Sequence, residues 1–315
     1  MFPYIGGKAH HVGWMDPLFP NQFDTFVEVF GGAGWVSVKS HKVTQSATRV
    51  YNDYNPLLAN VYECLRQDPR AVLALMDATT KSDLALYRQY QKELFADLDW
   101  TTVQLGDVAL AVKYLYLQTQ VFAGTPLSKT NVPYFTEQKA GGKYPSKYDT
   151  LRKKLATDVI QQRVQQITAV EQMDCEDLIR KYDSPTTFFY VDPPYYNMEF
   201  YYSKDFPREK HQSLAQTLSQ IQGRFALSYY DFEDLHQFYP EGQFHWHRQS
   251  VYRSAATRSA KSSNYKAKSK GTEILIMNYD PAVDAGKPVK PAKPKKSQKP
   301  VKPIKPKIID TGLFI

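Results

Sequence analysis

Cysteine is scarce: Cys64 and Cys175 are the only two in 315 residues. That excludes a disulfide framework and cysteine-rich zinc patterns, and it suits a reducing compartment. Each follows an acidic residue, Glu63 or Asp174, and not the proline that a nucleophilic cysteine of the cytosine ring-carbon kind requires. Both therefore read as ordinary packed cysteines. No run of 18 apolar residues exists, so no membrane span is expected. The opening Met1-Phe2-Pro3-Tyr4-Ile5-Gly6-Gly7-Lys8 lacks the charged and then apolar regions of a secretion signal, and a cytoplasmic location is expected. Gly6-Gly7-Lys8 also lacks the five-residue lead and the following Ser or Thr of a Walker A loop.

General basicity is missing too. The formal charge is +8, but nine lysines lie between Lys287 and Lys307 with no acidic residue among them, and removing them leaves −1. The basic character belongs mostly to a tail. Any nucleic-acid surface on the body must then be a local patch.

What is present begins with a core, since 42% of the residues are hydrophobic. Phe188-Phe189-Tyr190-Val191 runs directly into Asp192-Pro193-Pro194-Tyr195. A short apolar run that stops at a carboxylate and two prolines predicts a buried strand ending in a rigid turn. Open α/β sheets place their chemistry at such strand ends. Two prolines fix φ and remove two N–H donors. A carboxylate, bare carbonyl oxygens and an aromatic face remain, a set suited to accept hydrogen bonds from the exocyclic amino group of adenine or cytosine. Tyr195, Tyr196, Tyr201 and Tyr202 cluster here, either as packing or as faces for an extruded base.

Alternation of patterns predicts an α/β sheet with crossovers. Strands are expected at 25–30, 48–53, 165–170, 188–191, 224–229, 244–251 and 272–278. Helices are expected over about 56–122 and over 211–222. Residues 123–150 are punctuated by Gly and Pro, and long irregular insertions of this kind are usually functional. After Asp280 a Lys-Pro pattern occurs at 287–295 and again at 299–307. It predicts an extended, disordered tether with salt-sensitive affinity for a phosphate backbone. The end, Thr311-Gly312-Leu313-Phe314-Ile315, faintly resembles the Leu-Phe peptides that bind sliding clamps.

Phe30-Gly31-Gly32-Ala33-Gly34 follows the first strand and opens a helix, which fits either a ligand loop or a tight turn. Asp53 ends the next strand about 20 residues on, where an acidic side chain commonly grips ribose hydroxyls. A nicotinamide cofactor fits that pair equally well, whereas the Asp192 motif does not fit a dehydrogenase. Gly6-Gly7-Lys8 is either a frayed start or a way to bring an ammonium onto a ligand carboxylate. His245 and His247 share a strand face without an evident third metal ligand, so no metal is expected.

Taken in order, Tyr4-Ile5-Gly6-Gly7-Lys8, Phe30-Gly31-Gly32-Ala33-Gly34, Asp53 and Asp192-Pro193-Pro194-Tyr195 resemble the Dam-type DNA adenine methyltransferases over roughly residues 3–279. The resemblance implies a Rossmann-like α/β catalytic domain from 1–55 and 151–281. It also implies an inserted, mainly helical recognition subdomain at 56–150 and a tail at 282–315. It implies S-adenosylmethionine as donor, no metal, and adenine N6 in double-stranded DNA as acceptor. Tyr4, Gly7, Lys8, Phe30, Gly31, Gly32 and Gly34 would hold the donor's methionine end, Asp53 its ribose and Asp174 its adenine, with Asp192 closing the pocket. Asp192, Pro193, Pro194 and Tyr195 would act on the base. Asn131-Val132-Pro133 resembles the family's Asn-Val-Pro, and Lys129, Asn131, Tyr134, Lys143 and Lys147 are the expected DNA contacts. Gln118 to Lys129 departs from the residues that read GATC in well-known members. RNA or protein-glutamine methylation and an inactive DNA-binding relative are the rival functions.

Overall fold

A computed structural model of the chain describes residues 2, 4, 6–79, 83–121, 127, 146–196, 206–252 and 270–283. Seven strands form one sheet: β1 Thr25–Glu28, β2 Thr48–Asn52, β3 Ala169–Glu171, β4 Thr187–Val191, β5 Arg224–Tyr229, β6 His245–Tyr252 and β7 Lys270–Met277. Their order is β3-β2-β1-β4-β5-β7-β6. The first five are parallel, while β7 runs antiparallel between β5 and β6. This is the expected Rossmann-like α/β sheet, with a reversed hairpin closing one edge.

Among the described residues the α-helices are α1 Val12–Met15, α2 Trp35–Lys39, α3 Pro56–Gln67, α4 Pro69–Ala78, α5 Leu84–Lys92, α6 Val108–Gln120, α7 Lys147–Leu155, α8 Asp158–Gln165, α9 Cys175–Tyr182, α10 Arg208–Leu218 and α11 Leu235–Phe238. Several start where the side chains dictate. Asn55, Asp68, Asp83, Asp107 and Asp174 each accept hydrogen bonds from the first-turn amides of the helix that follows. Pro56 and Pro69 stand at the first helical position, where a missing N–H costs nothing.

All five residues of β4 are buried. A strand covered on both faces loses polar alternation and reads as a continuous apolar run. Its side chains still divide. Phe188 and Tyr190 pack with Phe26, Val36 and Met15, whereas Phe189 and Val191 pack with Val27, Leu178 and Leu214. One face is thus covered by the N-terminal segment and α2, the other by α9 and α10. A third core joins α3 to α8 and reaches the sheet through Tyr51.

The sequence misplaces some boundaries. The expected strand at 165–170 begins late, because Gln165 ends α8 and β3 starts at Ala169. The expected irregular stretch ends early, because Ser146 caps α7 by accepting the Asp149 amide. α7 packs on α4 and α6, and α8 packs on α3, so the helical layer continues to residue 165. Residues 284–315, which include both Lys-Pro repeats, lie outside the described residues, as do 253–269. No helix among the described residues is long and apolar enough to cross a membrane.

Candidate active site

A cavity of about 310 Å³ opens at the carboxyl ends of β1, β2 and β4. The strand order reverses between β1 and β4, and open α/β sheets bind ligands at that crevice. The cavity brings together Tyr4, Gly7, Lys8, Phe30, Gly31, Gly32, Gly34, Asp53, Asp174, Asp192 and Pro194 from the expected set. Pro193 is buried and Tyr195 half-buried, and both adjoin the lining residue Pro194 in the chain without lining the cavity themselves.

The glycine loop is shaped from below by two tyrosines. Tyr51 of β2 and Tyr62 of α3 stack with centroids 3.8 Å apart, and the Tyr51 hydroxyl donates to the Gly32 carbonyl at 2.8 Å. A Cβ on Gly31 would come within 2.2 Å of the Tyr51 ring. Gly34 has φ +59, and a Cβ there would lie 2.3 Å from the Tyr62 hydroxyl. Both glycines are therefore required by close approach, and Gly34 also by its left-handed backbone. Asp53 fastens the loop from the side: its carboxylate accepts from the Gly32 amide at 2.9 Å and from the Asn55 amide at 2.8 Å. Burial pushes its pKa up to about 6, although those amides favour the anion.

Asn52 and Glu28 are site residues that the sequence motifs did not single out. Asn52 donates to Val29 O at 2.8 Å and accepts from the Met173 amide at 2.8 Å, joining the ends of β1 and β3. Glu28 ends β1, lines the cavity and is 2% exposed. It accepts from the amide and the hydroxyl of Ser37. Burial outweighs those bonds and raises its pKa to about 7. A carboxylate inside an apolar strand just before the glycine loop was the available signal.

On the far wall, Asp174 caps α9 and pairs with Lys210, whose ammonium also meets Glu176 at 2.8 Å. Cys175 lies between Asp174 and Glu176 in the chain, buried and in no disulfide, its thiol pushed up to about 12 by burial.

Lys8 provides the tightest junction. Its ammonium donates to Asp192 Oδ1 and to the Tyr195 hydroxyl, both at 2.8 Å, and to Gly6 O at 3.1 Å. Glu273 Oε1 of β7 lies 3.3 Å away. Burial disfavours the ammonium, yet the two carboxylates raise its pKa. Asp192 itself rises to about 6, because burial outweighs the attraction of Lys8 and Glu273 repels it. Tyr195 is stacked on Tyr229 with centroids 5.2 Å apart, and Tyr229 bonds His211 Nδ1 at 2.5 Å. Lys8 thus rests on Asp192 and Tyr195 at the end of β4 and lines the cavity together with the glycine loop.

Of the expected DNA contacts, Lys129, Asn131, Tyr134 and Lys143 lie outside the described residues, as do Tyr201 and Tyr202. Lys147 is half-buried and donates to Val121 O at 3.1 Å, tying the start of α7 to the end of α6. Tyr148 is core, with its hydroxyl on Met76 O at 3.2 Å. His247 stacks on Trp14 with centroids 5.6 Å apart.

Residues 4–255 match the family model of the D12 class N6 adenine-specific DNA methyltransferases. The chain is also 23% identical over 292 residues to the Type II methyltransferase M1.LlaDCHI of Lactococcus lactis subsp. cremoris. That alignment covers 88% of this chain and 94% of the relative.

The Glu28 carboxyl yields a test with a defined sign. Its pKa rises from 4.5 to about 7 on folding, so the folded state holds the proton more tightly. Stability is lost as pH rises from 4.5 to about 7, and no further loss follows above that. Glu28→Gln carries no charge and escapes this loss. The melting temperature of Glu28→Gln relative to the parent should climb across that window and then level off. A difference independent of pH would contradict the assignment.

Proposed function

We propose that this chain, which belongs to the D12 class N6 adenine-specific DNA methyltransferases, binds S-adenosylmethionine in the cavity and presents an extruded adenine of duplex DNA to Asp192. Acidity at the cavity supports the donor. Glu28, Asp53 and Asp192 all have pKa values raised chiefly by burial, so a cationic ligand would relieve unfavourable desolvation of three carboxyls. S-adenosylmethionine, when bound, supplies an electrophilic methyl group on a positive sulfur. The glycine loop offers backbone to its methionine end, Asp53 meets its ribose hydroxyls and Asp174 its adenine amino group.

The acceptor nitrogen of adenine is a weak nucleophile, since its lone pair is conjugated with the ring. The Asp192 carboxylate and the Pro193 carbonyl accept its two hydrogens and pull it towards tetrahedral geometry. The strand end and the proline turn that carry these acceptors are in place before the base arrives, so the acceptors stabilise the developing positive charge with little backbone reorganisation. Alignment of the nitrogen within the crevice supplies much of the remaining acceleration. Asp192 then takes the proton that the methylated nitrogen releases, a role suited to a pKa of about 6. Tyr195, backed by Tyr229, gives the base an aromatic surface.

Residues about 118–150 form the target-reading segment in this proposal, with Lys129, Asn131, Tyr134, Lys143 and Lys147 as its DNA contacts. Similarity to a Type II methyltransferase supports a site-specific enzyme. The Lys-Pro tail is assigned to backbone contact, with its Leu-Phe end offered to a partner such as a sliding clamp.

The single observation that carries the proposal is Asp192 at the end of β4, on the wall of the cavity. Asp192→Ala should abolish adenine methylation of DNA while keeping a cooperative melt near that of the parent. Retained turnover would overturn the assignment. Asp53→Ala should weaken S-adenosylmethionine binding by about 1–3 kcal/mol in calorimetry, the scale of hydrogen bonds to a charged group. Unchanged affinity would reduce Asp53 to a loop fastener.

A further inference from the structure

Glu273 has no part in the chemistry described so far, yet it is 7% exposed and sits at the centre of the acceptor network. Its Oε1 accepts from the Tyr195 hydroxyl and from the Ser228 hydroxyl, each at 2.6 Å. The same oxygen lies 3.3 Å from the Lys8 ammonium. Burial opposes its charge, but Lys8 and the two hydroxyls hold its carboxyl below the usual range. It is therefore an anion at neutral pH, adjacent to a second anion, with one ammonium between them.

That arrangement poses a problem for the proposed reaction. Lys8 donates to Asp192 Oδ1 at 2.8 Å, and a carboxylate bound to an ammonium is a weaker acceptor for a neutral amino group. If Asp192 gives up the ammonium to accept from the base, Gly6 O and the Tyr195 hydroxyl still hold it, but its charge needs another carboxylate. Among the described residues Glu273 is the other carboxylate within reach of Lys8, and it is already fixed by two hydroxyl donors. Its β7 backbone pairs with both β6 and β5, so the carboxylate is carried by an interior strand.

We propose that Glu273 is a positioning residue that takes the Lys8 ammonium from Asp192 as the amino group binds, while its bond from the Tyr195 hydroxyl keeps the ring in place. The inference rests on Asp192 being the acceptor of the amino hydrogens. No bond forms or breaks in this exchange. Lys8 keeps its proton throughout and changes only the carboxylate on which it rests. The groups around Asp192 are Lys8 from the N-terminal segment, Glu28 from β1, Tyr190 from β4, Tyr195 from the motif and Glu273 from β7. His11 faces Glu273 from the N-terminal side.

The test is single-turnover methylation by the full chain, with labelled S-adenosylmethionine and unmethylated genomic DNA, both saturating, from pH 5 to 9. Glu273→Gln removes a negative neighbour from Asp192 and leaves Lys8 resting on it. Both changes ease ionisation of Asp192, so the acid limb should move to lower pH by about one unit or more. The plateau rate should fall about 10-fold to 100-fold, the order seen when a reacting group is misplaced. A Glu273 that merely neighbours Asp192 would shift the limb and leave the plateau rate parental, an outcome that overturns the proposal. Glu273→Asp keeps the charge on a shorter arm, so its limb should stay and its rate should fall. An unshifted limb in a folded Glu273→Gln protein overturns the proposal. If Glu273→Gln does not fold, a parental rate in Glu273→Asp overturns it, and a slowed reaction with the parental limb upholds it. Failure of the underlying acceptor assignment is separately visible, as a parental rate in Asp192→Asn.

Discussion

One buried ammonium holds the site together. Lys8 is 4% exposed and bonds Asp192, Tyr195 and Gly6, with Glu273 alongside. It thereby joins the N-terminal segment to the end of β4 and to β7, which are 184 and 265 positions further along the chain. Burying one cation and two anions is expensive unless each is well paired. Here the hydroxyls of Tyr195 and Ser228 complete the pairing of Glu273. The turn of two prolines then has little freedom left.

Two other carboxylates of the cavity, Glu28 and Asp53, are arranged differently. Glu28 is held by Ser37, and Asp53 by the backbone amides of Gly32 and Asn55. These bonds fix orientation without cancelling charge, so burial dominates and both pKa values rise. Under the proposed function, a cationic donor in this cavity would meet an electrostatic environment prepared for it. Such acidity is invisible in the overall balance of +8, because the tail masks it.

Much of this was legible in the sequence. The strand into Asp192 was recognisable because a doubly covered strand is apolar throughout and its proline turn is rigid. The glycine loop and Asp53 were legible through spacing. What could not be read was what lies under the loop. Tyr51 and Tyr62 look like any core tyrosines, and only their stacking against Gly31 and Gly34 reveals why those glycines are needed. Glu273 was equally hidden, since a carboxylate at the start of an apolar strand ordinarily faces water. The first turn of α7 fell within the stretch read as irregular, and Gln165 at the end of α8 within the expected strand, because the apolar positions of these helices face other helices, not the sheet. The rival acceptors, RNA and protein glutamine, give way to the match over residues 4–255 to an adenine-specific DNA family.

The dependence of the site on Lys8 is most directly measured by a double-mutant cycle of Lys8→Met and Glu273→Gln in denaturant at pH 8. Lys8→Met leaves two buried carboxylates without their cation and should cost about 3–5 kcal/mol. Adding Glu273→Gln removes one of those charges and should restore part of the loss, giving a coupling of about 1 kcal/mol or more. Strictly additive losses would show that Lys8 and Glu273 act independently, and the ammonium would not be the junction described.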